Sequence, residues 1–207
     1  MEIERIAALL RPFTAEALSA AQLAAFGAYL DLLLRWNQRI NLTAVRAPDE
    51  VVTRHFGESS FAAGCLLPSG GSAEVADIGS GAGFPGLPLK IIRPGARVTL
   101  IEAHGKKATF LKEVIRALRL EEIKVMPARA ENVKQQFDLV MLRAVERFGD
   151  VLPVATTLVR PGGRIALLIG SSQAGAAQQV LPAFAWSAPI PIPHSSSRIV
   201  LEGNRLH

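Results

Sequence analysis

The chain has 207 residues, 49% of them apolar, enough to fill the core of one α/β domain with an extension. Its net charge of +5 is unevenly spread: residues 1–73 carry six basic and seven acidic side chains, residues 74–207 seventeen and eleven, a surplus that suits an anionic partner such as RNA. The single cysteine, Cys65, excludes an intramolecular disulfide and a multi-cysteine zinc site, and His55, His104, His194 and His207 show no metal-ligand spacing, so no metal is expected.

No apolar run reaches the roughly 18 residues of a membrane span, and the first residues lack a basic stretch followed by an apolar one, so no secretory signal is read. A cytoplasmic protein, away from membranes, is expected. Nothing in the sequence requires a dimer, and a monomer is expected.

Residues 2–11 predict a short helix broken by Pro12. Ser19 is a candidate cap for a second helix reaching about Arg39, in which Leu23, Phe26, Leu30 and Leu33 recur at three- and four-residue spacing and Trp36 and Ile40 extend the same face. Residues 37–43 predict a polar turn, with Asn41-Leu42-Thr43 as a candidate cap before Val45. Residues 48–56 predict another short helix, presenting Arg54 and His55 as candidate phosphate contacts. Pro68-Ser69-Gly70-Gly71-Ser72 reads as a flexible joint. It divides an amino-terminal helical extension, residues 1–72, from the main α/β domain, residues 73–207.

The central stretch is Asp77-Ile78-Gly79-Ser80-Gly81-Ala82-Gly83-Phe84-Pro85-Gly86, between a predicted buried strand at 75–78 and an apolar helix opening near Leu87. A strand, a glycine turn and a helix N-terminus make a nucleotide-type site, because glycine permits close backbone approach and the helix end offers unpaired N–H groups. Gly81, Gly83 and Gly86 satisfy the dinucleotide spacing G-x-G-x-x-G, with Glu102 about 20 residues on. S-adenosylmethionine suits the same layout. Asp77, just before the first glycine, favours it, since a carboxylate there can face a cationic aminoacyl or sulfonium group.

Residues 97–101 predict a second strand, ending at Glu102, whose carboxylate can accept from both ribose hydroxyls of an adenosine. Residues 105–118 predict an amphipathic helix with Phe110, Leu111, Val114, Ile115 and Leu118 inward. Lys112, Arg116 and Arg119 form a basic stripe on it, and Lys106 and Lys107 crowd its start. A third strand at 123–126 leads to Arg129-Ala130-Glu131, a loop able to border an adenine. A fourth at 137–142 delivers Arg143-Ala144 to its carboxyl end, where ligands bind in open parallel sheets. A helix at 150–159 ends at the turn signal Arg160-Pro161-Gly162-Gly163, and a fifth strand follows at 164–169. Residues 182–193 read as edge structure or loop, and 198–201 as a last, hairpin-paired strand. Five alternations of strand and helix predict a parallel sheet covered on both faces. A closing antiparallel strand is characteristic of S-adenosylmethionine-dependent methyltransferases.

From about residue 30 to 170 the chain resembles the RsmG (GidB) family, which methylates guanine N7 in small-subunit ribosomal RNA. The resemblance is carried by Trp36-Asn37 with Asn41-Leu42-Thr43, by Arg54-His55, and by the central stretch extended through Gly86-Leu87-Pro88-Leu89. Leu100-Ile101-Glu102, Lys106-Lys107, Phe110-Leu111, Arg129-Ala130-Glu131 and Arg143-Ala144 complete it. The resemblance implies a Rossmann-like class I methyltransferase sheet and S-adenosylmethionine as cofactor. It implies cofactor contacts at Gly79 and Phe84, at Glu102 with Ala103 and His104, at Ala130 and Glu131, and at Arg143 beside the methyl donor. With Asp77, Gly81 and Gly83 from the loop itself, these form the candidate cofactor set. Arg54, His55, Lys106, Lys107, Lys112 and Arg116 are the candidate contacts to 16S ribosomal RNA or the small subunit.

The chain departs from the family at two points. Leu142 stands where similar proteins usually have Ser, and Ile169 where they usually have Lys before a glycine; the missing lysine implies weaker contact at that spot. Guanine N7 attack needs no general base, which agrees with the absence of a catalytic dyad; Arg143 is the candidate orienting residue. Cys65 lies outside any Pro-Cys motif and no (D/N)PP(Y/F) motif is present, which argues against cytosine-C5 and exocyclic-amine methylation. The alternatives are a non-catalytic RNA-binding or ribosome-assembly protein that keeps the fold, and an NAD(P)-dependent oxidoreductase.

Overall fold

The computed structural model describes residues 1–144 and 148–206; His207 lies outside them. Five strands run parallel: β1 (Glu74–Ile78), β2 (Arg97–Ile101), β3 (Ile123–Met126), β4 (Phe137–Arg143) and β5 (Val159–Gly170). β6 (Phe184–Trp186), β7 (Ile190–Pro191) and β8 (Arg198–Arg205) complete the sheet in the order β3-β2-β1-β4-β5-β8-β6, with β7 also on β8. β8 lies antiparallel to β5, which is the expected closing strand, and pairs with β6 and β7 on its other side. Strand order switches direction at β1, flanked by β2 and β4, and a crevice at the carboxyl ends is the consequence.

β5 begins earlier than its sequence suggests. Phe137 pairs with Val159 and Leu139 with Arg164, so Arg160-Pro161-Gly162-Gly163 is a bulge within the strand, with Gly162 at φ +69°. The expected turn is there, but the ladder resumes on both sides of it.

Side-chain alternation along the strands sorts two cores. Val75, Leu100, Leu139, Met141, Leu168 and Val200 face one side. Ala76, Ile101, Val140, Leu142, Leu167 and Ile199 face the other, toward Leu152 and Ala155 of α7 (Phe148–Thr157) and Ala177 of α8 (Ala174–Val180).

The first face is covered by α1 (Ile3–Leu10), α2 (Ala20–Asn37), α5 (Gly86–Ile92) and α6 (Gly105–Ala117), and by a helical run from Pro48 to Leu66. α2 starts with a capping box: Ser19 Oγ accepts from Gln22 N–H at 3.2 Å and Gln22 Oε1 accepts from Ser19 N–H at 2.9 Å. Such a cap is worth about 1 kcal/mol. The run after it comprises α3 (Pro48–Val51), a π-helical turn (Val52–Gly57) and α4 (Glu58–Leu66). The expected helix stops at Phe56; the real one continues because small residues let it lie close to its neighbours. A Cβ on Gly57 would stand 2.6 Å from the Phe13 ring. Residues on both sides of position 72 thus share one core. No helix among the described residues is long and apolar enough to cross a membrane.

A two-part cleft at the carboxyl ends of the strands

The loop leaving β1 is tied to the end of β2. Gly79 and Ser80 N–H donate to Ile101 O at 2.9 and 3.2 Å, and Gly83 and Phe84 N–H donate to Ser80 O at 2.6 and 3.1 Å. Two glycines serve opposite ends. Gly79 has φ +68° and nothing within 4 Å of where a Cβ would stand, so its backbone faces open space. Gly83 has φ +96°, and a Cβ would lie 2.2 Å from Leu87 Cδ1 and 2.7 Å from Tyr29 Oη. The first leaves room for a ligand and the other lets the loop close onto the helices. The Tyr29 hydroxyl donates to Ala82 O, and burial, with Asp77 next, raises its pKa well above the ordinary phenol value, so it stays a donor.

Glu102 is 7% exposed. Its Oε2 accepts from Gly81 N–H at 2.8 Å and its Oε1 from His104 N–H at 2.7 Å. Each oxygen keeps a second lone pair for a ligand. Beside it opens a cleft of about 690 Å³, bordered by Gly79, Glu102, Ala103, Ala130, Glu131 and Arg143. Six of the residues expected from sequence as cofactor contacts therefore meet around one space. His104 is exposed and joins only through its N–H. Gly81 and Gly83 shape the loop from behind. This donor set fits a nucleoside carrying a vicinal diol: a carboxylate with free lone pairs, backbone open to close approach, and an apolar floor of Ile78, Ile101 and Leu142.

Asp77 requires a correction. Residue alternation turns it toward the first face, and it is fully buried beneath the loop, not on the cleft wall. Its Oδ2 accepts from Gly86 N–H at 3.0 Å, tying down the start of α5, while Oδ1 has no partner. Burial raises its pKa to about 7, against the opposing pull of the Gly86 N–H. It does not face a cationic ligand.

A second cleft, about 420 Å³, shares Arg143 and Ala144 with the first. Phe84 belongs here. The His55 ring stacks on it, centroids 4.6 Å apart, and the Arg143 guanidinium carbon lies 5.6 Å from its centroid. His55 Nε2 and Thr43 Oγ1 are 2.7 Å apart. Burial first, then Arg143 and Arg54, lowers the His55 pKa to about 3. At neutral pH the ring is uncharged, so it brings no cation to a phosphate; it packs on Phe84 and lines this cleft. Arg54 is exposed and pairs with Glu50 at 2.7 Å; its carbonyl accepts from Arg143 Nη2. Lys106, Lys112 and Arg116 are exposed on α6 and Lys107 is half-buried; none borders either cleft.

Sequence reading missed three participants: Tyr29, Glu58 and Arg198. Glu58 is the one acid in the run from Phe56 to Ser60, all five residues being buried. It lies 3.2 Å from Arg143 and 2.6 Å from Arg198. Its partners are 85 and 140 residues away, so only a continuous helix through residue 58 would have signalled it. The two departures from the family pattern are buried in the core on the α7 and α8 side, and each also borders a cleft, Leu142 the larger and Ile169 the smaller. Among the described residues no group of three His, Cys, Asp or Glu side chains could hold a metal.

Residues 22–187 match the family model described as GidB, rRNA small subunit methyltransferase G. The chain is 42% identical over 166 residues to Ribosomal RNA small subunit methyltransferase G of Xanthomonas euvesicatoria pv. vesicatoria (strain 85-10), covering 79% of this chain and 76% of that protein. It is 42% identical over 162 residues to the protein of the same name from Roseiflexus castenholzii (strain DSM 13941 / HLO8), covering 75% and 68%. Among solved structures it is similar to ribosomal protein L11 methylase from Lactobacillus delbrueckii subsp. bulgaricus, with a TM-score of 0.63 at 18% identity over 75% of this chain and 80% of that one. It is also similar to M. jannaschii TYW2 in complex with AdoMet, with a TM-score of 0.57 at 16% identity over 73% and 74%. At those identities the likeness is one of fold.

Proposed function

The chain belongs to the GidB family of rRNA small subunit methyltransferases, and we propose that its target is N7 of a guanine in 16S ribosomal RNA. It is an S-adenosylmethionine-dependent rRNA methyltransferase built on a Rossmann-like sheet. The observation that carries the site reading is the junction at Arg143–Ala144 of two clefts, one fitted to an adenosine and the other lined by an aromatic ring and arginines.

When bound, S-adenosylmethionine supplies a methyl group on a sulfonium. Glu102 would hold the ribose, Ala130 and Glu131 would border the adenine, and the Gly79 backbone would lie against the amino-acid end. Guanine N7 carries an in-plane lone pair and no proton, so the protein needs no base there. The work left to this chain is alignment, the term worth about 7–11 kcal/mol in well-oriented reactions. Half-buried Arg143, fixed by Glu58 and by the Arg54 carbonyl, is suited to that work at the junction. Exposed Lys106, Lys112 and Arg116 would meet the RNA backbone. We place the enzyme in the cytoplasm as a monomer acting on the RNA or the small subunit; its hydrodynamic mass checks the oligomeric part.

Calorimetric titration with S-adenosylhomocysteine, NAD and NADP tests the cofactor, and labelled-methyl transfer to ribosomal RNA followed by nuclease mapping tests the atom. Binding of S-adenosylhomocysteine alone, with label at guanine N7, is expected. NAD binding alone, or label on another atom, would overturn the reading.

A further inference from the structure

Four charged residues line the second cleft, Arg54, Glu58, Arg143 and Arg198, and the last three form one cluster. Arg143 closes β4, Arg198 opens β8, and Glu58 descends between them from α4. Glu58, its side chain 3% exposed, has Oε2 at 3.2 Å from Arg143 Nη2 and Oε1 at 2.6 Å from Arg198 Nη2. These pairs engage one nitrogen of each guanidinium. Arg143 Nη1 and Arg198 Nε are buried and have no hydrogen-bond partner. Each Glu58 oxygen faces the Nη2 of its own arginine and neither reaches these two atoms. A buried N–H left unpaired is costly, and a guanidinium can only donate. The arrangement calls for an acceptor brought in from outside.

The rest of the lining indicates what carries that acceptor. Phe84, Leu42, Leu168 and Ile192 supply an apolar wall, beside the polar Thr43 and Ser80. An apolar wall next to a pair of arginines suits a flat ring with one accepting edge.

We propose that this cleft receives the target purine and that Arg143 Nη1 and Arg198 Nε read its C6 substituent, admitting guanine and rejecting adenine. Beside N7, guanine presents the acceptor O6 and adenine presents the donor N6–H₂. With O6 in place the two N–H groups gain their partner and the N7 lone pair stays free. With an amine in place donor meets donor, and both sides lose their water without compensation. This reading deepens the guanine-methyltransferase function proposed above and rests on it.

The test uses protein saturated with S-adenosylhomocysteine, so that the first cleft is filled. Ligand-observed NMR titrations then compare GMP, IMP, AMP, 2,6-diaminopurine ribonucleotide and ribose 5-phosphate. IMP keeps O6 and lacks the C2 amine; the diaminopurine keeps the C2 amine and has an amine at C6. GMP and IMP are expected to bind about 10- to 100-fold tighter than AMP and the diaminopurine nucleotide. Arg198→Lys, which removes Nε, is expected to shrink that preference several-fold while S-adenosylhomocysteine affinity stays unchanged, a control for intact fold. Preference that follows the C2 amine would overturn the proposal. So would equal binding of all five probes, which would mark a phosphate site, or binding of none. An unchanged preference in Arg198→Lys would remove Arg198 from it. Failure of S-adenosylhomocysteine to bind the unmodified protein would instead strike the methyltransferase reading, and this one with it.

Discussion

The Glu102 carboxylate accepts a hydrogen bond from the Gly81 backbone at 2.8 Å, so the glycine loop is braced by the same side chain that faces the larger cleft. Replacing Glu102 with Gln puts an amide NH₂ against the N–H of either Gly81 or His104. S-adenosylhomocysteine affinity should fall about tenfold or more, by loss of a charge-assisted bond and displacement of the loop. Calorimetry measures it, with circular dichroism as the check that the fold persists.

Gly79 and Gly83 should separate binding from stability. Gly79→Ala meets no atom, so its cost is that of a left-handed alanine, roughly 1–2 kcal/mol; its effect on S-adenosylhomocysteine binding should be severe, because the added methyl occupies ligand space. Gly83→Ala collides with Leu87 and Tyr29 and should cost about 3 kcal/mol or more of folding stability. Denaturant unfolding beside calorimetry tests the contrast; equal destabilisation by both would refute it.

Asp77 and His55 act oppositely on the pH dependence of stability. Asp77, raised from 3.8 to about 7, binds its proton more tightly in the folded state, so its contribution is full below pH 4 and is lost as pH rises through 7. His55, lowered from 6.5 to about 3, contributes stability above pH 6.5 that is lost as pH falls toward 3. Between pH 4 and 6.5 the two slopes cancel. Asp77→Asn removes one of them, worth on the order of 4 kcal/mol across its window, and stability should then rise with pH from 4 to 6.5. Urea unfolding at a series of pH values reads this directly; a profile parallel to that of the unmodified protein would rule it out.

Glu58→Gln leaves two guanidiniums facing each other with no anion. Breaking a buried pair costs 3–5 kcal/mol; Arg198 keeps 33% of its side chain exposed, so about 2–4 kcal/mol is expected from chemical denaturation. Burial raises the Glu58 pKa and the two arginines pull it back, so the charge on this residue belongs to the cluster.

The exposed lysines of α6 give a salt test. RNA binding should weaken steeply with salt, and the double substitution of Lys106 and Lys112 by Ala should reduce the slope of log K against log salt by roughly 1.5. Filter binding at several salt concentrations checks it.

What was legible in the sequence was what depends on local pattern. The five alternating strands, the Ser19 cap and the glycine loop follow from periodicity and turn chemistry over windows of about ten residues. Six of the expected cofactor residues border one cleft because they sit at the ends of successive strands, a place fixed by topology. The side to which a polar residue turns, and what it meets there, was not legible. Asp77 and His55 carry polar side chains, and nothing in their immediate sequence says that one lies beneath the loop and the other against Phe84. The Glu58 cluster draws one member from each of three distant segments, and long-range ion pairs leave no short-range pattern.

Tyr29 and His55 stand before residue 72, yet one bonds to the Ala82 carbonyl and the other packs on Phe84. The glycine loop is therefore shaped in part by helices that border no part of the larger cleft. In a genetic screen for lost methylation, inactivating missense changes should fall on both sides of residue 72, with Tyr29 and Phe56 as vulnerable as the glycines.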